Sequence, residues 1–138
     1  MRWSEALLKW TALAALYFFW PGVALIVWGE LTPHPPDLTQ LVWDKLLHFT
    51  AYFGLAAMAT VVLGLTRRTF WALVALAILG GVLEILQGFT GRDPGVLDEV
   101  ANGLGVVSGF LVAWAYVAIL KSFSTTGRGR ASPTSSMR

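Results

Sequence analysis

Apolar residues run in four long stretches, at 7–28, 46–65, 70–89 and 100–120, separated by shorter polar segments. Each is close to the ~20 residues that an α-helix needs to cross the hydrocarbon of a bilayer. Each is also apolar around most of its circumference, whereas a helix packed on a soluble core keeps a polar face. The pattern predicts an all-α, polytopic membrane protein built as a four-transmembrane-helix bundle. The first stretch follows Arg2 and has the outline of a signal peptide, but its length and the missing small-residue cleavage site read as an uncleaved anchor. Pro21-Gly22 is expected to kink or thin that helix, because proline removes a backbone donor. Arg67 and Arg68 are read as a short basic turn, which makes helices two and three antiparallel neighbours.

The first connection, 29–43, holds Thr32-Pro33-His34-Pro35-Pro36-Asp37, an extended and turn-like run that serves as a connector. After Lys121 the chain is rich in Ser, Thr, Gly and Arg, cannot bury a core, and is expected to be disordered. The organisation is thus one transmembrane domain over 1–121 and a basic tail over 122–138.

Composition sharpens this picture. Of 138 residues, 56% are hydrophobic and 13% charged, against about 45–50% and about 25% in an average soluble domain. The mean hydropathy is +0.64. A soluble enzyme is excluded on that balance. The absence of cysteine excludes disulfides, thiolate metal sites and a cysteine nucleophile.

The net charge of +2 says little until it is sorted by side. Arg2, Lys9, Arg67, Arg68, Lys121, Arg128, Arg130 and Arg138 fall on one side with a single acid, Glu5. Lys45 and Arg92 fall on the other, with Glu30, Asp37, Asp44, Glu84, Asp93, Asp98 and Glu99. Basic residues mark the cytoplasmic side, so both termini are expected to be cytoplasmic. Trp3, Trp10, Trp28, Trp43 and Trp71 fall near the expected interfaces, where amphipathic rings settle.

The polar residues within the spans all belong to the outer half. Asp44, His48 and Tyr52 recur at i, i+4 and i+8, one face of helix two. Glu84 and Gln87 share a face of helix three, and Asp98 and Asn102 a face of helix four, continued inward by Gly105 and Gly109. At 1.5 Å per residue, His48, Glu84 and Asn102 lie about one turn inside the outer boundary. Such groups are costly against lipid tails, so they should face one another or a water-filled cleft that opens outward. Small residues at Ala101, Gly105, Gly109 and Ala113, and at Gly80 and Gly88, allow the helices to approach closely.

Simpler readings stand beside this one. The small-residue stripes pack helices whether or not a site exists. Asp98 and Asp44 suit the N-caps of helices four and two, and His48 alone suits a hydrogen-bonded structural role. Glu84 needs a partner at its depth, and Arg92, Lys45 and His48 are the candidates. The basic tail fits an orientation signal or contact with anionic lipid better than a nucleic-acid patch.

Three segments in order also resemble the VanZ-like family. They are Asp44-Lys45-Leu46-Leu47-His48-Phe49-Thr50-Ala51-Tyr52, then Glu84-Ile85-Leu86-Gln87 with Gly91-Arg92, then Asp98-Glu99-Val100-Ala101-Asn102-Gly103-Leu104-Gly105. The resemblance lies within 44–109, and helix one and the tail take no part in it. It implies a small bacterial membrane protein of the cytoplasmic membrane, in a family named for a member linked to resistance to the glycopeptide teicoplanin. It carries a family pattern onto Asp44, Lys45, His48, Tyr52, Glu84, Gln87, Arg92, Asp98 and Asn102, without naming a reaction.

Three functions remain open on the residues alone. A membrane enzyme acting on an envelope lipid or glycolipid would use His48 or Glu84 as general acid or base. Lys45 and Arg92 would hold a phosphate or carboxylate. Asp98, with Asp44, would orient His48 or bind a divalent cation. A non-catalytic binder would use the same groups, with Tyr52, Gln87 and Asn102, for recognition of a lipid-linked envelope molecule. A structural or accessory protein would use them only to lock helix packing, and a homo-oligomer fits any of the three. Ser108 lies about two turns deeper than the cluster and offers no evident nucleophile.

Overall fold

The structure is a computed structural model and describes residues 3–32, 41–90 and 95–126. Four helices account for nearly all of them: α1 (Trp3–Leu31), α2 (Leu41–Leu63), α3 (Arg67–Gln87) and α4 (Val96–Thr126). No strand occurs among the described residues. Each helix is long and apolar enough to cross a membrane, as expected of a multi-pass protein. Large apolar side chains dominate the outside: Trp10, Tyr17, Trp20, Leu25, Trp28, Ile78, Ile85, Leu104 and Val112 are all exposed. A soluble monomer rarely exposes contiguous apolar patches beyond a few hundred Å², whereas lipid is a fit solvent for such a surface.

Several local expectations change. α1 passes through Pro21 as continuous helix; proline removes one donor, and its neighbours keep theirs. Arg67 and Arg68 are not a turn but the first two residues of α3. The turn is Gly64–Thr66. Gly64 stops α2 with φ +66, a left-handed backbone that costs a side-chain-bearing residue about 1–2 kcal/mol. Its N–H still reaches the Thr60 carbonyl at 2.9 Å, and the buried Thr69 hydroxyl closes the turn onto the Gly64 carbonyl.

Asp44 and Asp98 are likewise inside the first turns of α2 and α4 rather than at the caps. Gly95 precedes the first helical residue of α4, and its carbonyl accepts from the Asp98 N–H at 2.8 Å. Carboxylates at these positions are favoured by the positive end of the helix dipole. α4 also continues past Lys121 to Thr126. The Ser122 and Ser124 hydroxyls donate back to the carbonyls of Ile119 and Leu120 at 2.8 and 3.2 Å, which suits polar residues to a helix end. The Pro-rich connector and the rest of the tail lie outside the described residues.

The most extensive contact is between α2 and α4. A Cβ on Gly105 would fall on the Phe49 carbonyl oxygen and 3.0 Å from the Phe53 amide nitrogen. One on Gly109 would fall on the Phe53 carbonyl oxygen and 3.0 Å from its Cα. Only glycine permits backbones to touch in this way, the small-residue crossing common between membrane helices. The core fills in around it with Tyr52, Leu55, Ala56, Leu76 and Val106, covered by Phe19, Val23 and Ile26 of α1 and Leu73 of α3. α1 begins beside the end of α4, where Ser4 Oγ and Ser124 Oγ are 2.9 Å apart. Trp3 packs on Phe123 there, with ring centroids 5.6 Å apart. Both described chain ends therefore share one end of the bundle, and every described acidic residue except Glu5 lies at the other.

Candidate functional site

At that acidic end each helix delivers a polar group for a local reason. α1 brings Glu30 in its last turn, α2 brings Asp44, Lys45 and His48 in its first two, α3 ends on Glu84 and Gln87, and α4 opens with Asp98, Glu99 and Asn102. Glu30, His48, Glu84, Gln87, Asp98 and Asn102 are buried, while Lys45 retains 27% side-chain exposure.

The side chains form a connected set. Lys45 Nζ donates to Asp98 Oδ1 at 2.9 Å. His48 Nδ1 lies 3.1 Å from Asn102 Oδ1 and 3.6 Å from Glu30 Oε1. Asn102 Nδ2 donates to Glu99 Oε2 at 3.2 Å, which fixes the orientation of the amide and turns its oxygen toward the imidazole. The nitrogen facing two acceptor oxygens must then be the protonated one. Gly80 makes room for this pair from α3, since a Cβ there would lie 2.8 Å from Glu99 Oε2 and 3.0 Å from Asn102 Nδ2. Glu84 Oε1 accepts from the backbone N–H of Gly95 at the entrance to α4. One ligand atom from each of Asp44, His48 and Asp98 lies within 4.8 Å of the others.

Measured against the sequence, the structure brings together Asp44, Lys45, His48, Glu84, Asp98 and Asn102. It pairs them differently. Lys45 and His48 were candidates to neutralise Glu84, but the first bonds Asp98 and the second bonds Asn102. Arg92, the third candidate, lies outside the described residues. Tyr52 is fully buried within the hydrophobic core, with its hydroxyl beside the Glu30 carboxylate. Gln87 shares the Glu84 face of α3, and its buried Nε2 has no hydrogen-bond partner among the described residues.

Sequence reasoning missed two members, Glu30 and Glu99, which it counted only as outer acids. The signal for Glu30 was a carboxylate directly after the apolar run that ends at Trp28. For Glu99 it was the i, i+3 spacing to Asn102 on a helix face. With them included, five carboxylates, Glu30, Asp44, Glu84, Asp98 and Glu99, stand around one lysine and one imidazole among the described residues. The arrangement offers carboxylate oxygens, one ammonium donor on Lys45 and one imidazole on His48.

No family model matches this chain. Comparison with curated proteins and with solved structures likewise returned no similar protein.

Proposed function

We propose that the acidic end of the bundle is a recognition site for the polar headgroup of an envelope lipid, glycolipid or amphiphilic antibiotic, held at the outer face of a bacterial cytoplasmic membrane. The observation that carries this reading is the convergence of buried polar side chains from all four helices at one end of the bundle. Burial of so many ionisable groups in a small membrane protein is expensive, and their usual use in such positions is function. Lys45, the partly exposed cation of the set, is suited to a headgroup phosphate or carboxylate. The charge distribution favours cytoplasmic termini and an outward-facing site. The resemblance to the VanZ-like family points the same way, toward the cell envelope and glycopeptide antibiotics such as teicoplanin.

The test is native mass spectrometry of the detergent-purified protein after exposure to a bacterial lipid extract. Retained lipid or glycolipid is expected on the wild type and reduced retention on Lys45→Gln and His48→Ala variants with unchanged helix content. A wild type that retains none contradicts the reading.

A second reading, that the cluster only locks helix packing, draws support from its mutual hydrogen bonds and deep burial. It predicts that Glu84→Gln, which preserves an acceptor for the Gly95 N–H, leaves every property unchanged. A Glu84→Gln protein that folds normally but loses lipid retention rejects it.

A further inference from the structure

We propose that Asp44, His48 and Asp98 form a binding site for a first-row divalent cation, Mn²⁺ or Zn²⁺, with coordination positions left open for an anionic oxygen. The donors come from two helices that the Gly105 and Gly109 contacts hold rigidly together. Asp44 and His48 are one turn apart on α2 and Asp98 faces them from α4, with one ligand atom from each inside a 4.8 Å span. One imidazole and two carboxylates are a mixed donor set that suits manganese and zinc better than the all-oxygen cages of calcium. Three protein ligands leave room for an exogenous oxygen, as in metal sites that act on a substrate.

Two further observations point to a cation. The first is the outer support of His48. Its Nδ1 is engaged by Asn102 Oδ1, which Glu99 in turn holds in place, so the lone pair of the neutral ring lies on Nε2. Engaging the second ring nitrogen in a hydrogen bond is how proteins fix the tautomer and orientation of a metal-binding histidine. The second is Glu84. It is 8% exposed, has Asp98, His48 and Glu99 for neighbours, and its Oε2 has no hydrogen-bond partner among the described residues. A buried carboxylate oxygen without a partner is stabilised by positive charge nearby. Lys45 supplies one such charge, on Asp98 Oδ1 at 2.9 Å, and so competes with the ion for that oxygen.

Binding of the ion stands on these donors alone; its use in capturing a headgroup rests on the function proposed above. The experiment is to strip the full-length, detergent-purified protein with chelator, titrate it with Mn²⁺, and record the electron paramagnetic resonance of the bound ion. A single bound Mn²⁺ with nitrogen hyperfine coupling is expected in the wild type, a signature that needs no variant to fold. His48→Ala should abolish the coupling. Asn102→Ala should weaken affinity about 10–100-fold, the usual effect of losing an outer-shell partner. Lys45→Gln should tighten it by removing the competing ammonium. No bound ion, an ion without nitrogen coupling, or undiminished binding in the Asp44→Asn, Asp98→Asn double variant overturns the site. Chelation that strips the ion but leaves lipid retention unchanged overturns its headgroup role and leaves the lipid reading standing.

Discussion

The Lys45 ammonium reaches Asp98 from a neighbouring helix, and both partners are largely removed from water, with side chains 27% and 10% exposed. Removing one member strands the other. Lys45→Met should therefore destabilise the metal-free protein by about 3–5 kcal/mol, and pairing it with Asp98→Leu should recover much of that loss. Thermal unfolding in detergent under chelator reads both. The faces carrying these residues were legible in the sequence, because i, i+4 spacing on a helix needs no tertiary information. The partners were not. Which oxygen Lys45 meets depends on the relative depth of α2 against α4, and spacing within each helix does not set the register between them. Glu84 shows the same limit: its observed donor is a backbone N–H at Gly95, which no pattern of side chains announces.

At the scale of elements, the crossing of α2 and α4 sets the geometry of everything above it. Its cause is visible as Gly105 and Gly109 one turn apart on α4, the stripe expected to permit close approach. The contact surface on the other side, the Phe49 and Phe53 backbone, was not evident, since any apolar stretch of α2 would have served equally well on paper. Gly109→Val should push the helices apart, because its side chain would collide with unyielding backbone at Phe53. Overpacking of this kind typically costs about 1–3 kcal/mol. The expected readout is a lower melting temperature together with loss of Mn²⁺ affinity, since Asp98 rides on α4 and both other ligands on α2. A melting temperature that falls while metal affinity holds would separate the crossing from the site.

Across the whole molecule, four apolar helices and both described chain ends at one end of the bundle give a topology that labelling can test. The chain has no native cysteine, so single replacements are unambiguous. Val96 is 82% exposed at the acidic end, and Thr66 is exposed in the turn at the opposite end. In intact cells a membrane-impermeant thiol reagent should modify Val96→Cys, and should reach Thr66→Cys only after permeabilisation; the reverse pattern would invert the proposed orientation. The four spans were legible because bilayer thickness imposes a length that composition alone reveals. α1 adds a point about assembly. Only 6% of its most apolar stretch is buried, against about a third in α2 and α4, yet it carries Glu30 to within 3.6 Å of His48. A membrane helix is stable by itself once inserted, because its backbone bonds are internal, so the order of docking follows the strength of the contacts and not the order of synthesis. α1 is held chiefly by α2, its most extensive partner, so the acidic end is complete only once these two helices have met and Glu30 stands beside the imidazole.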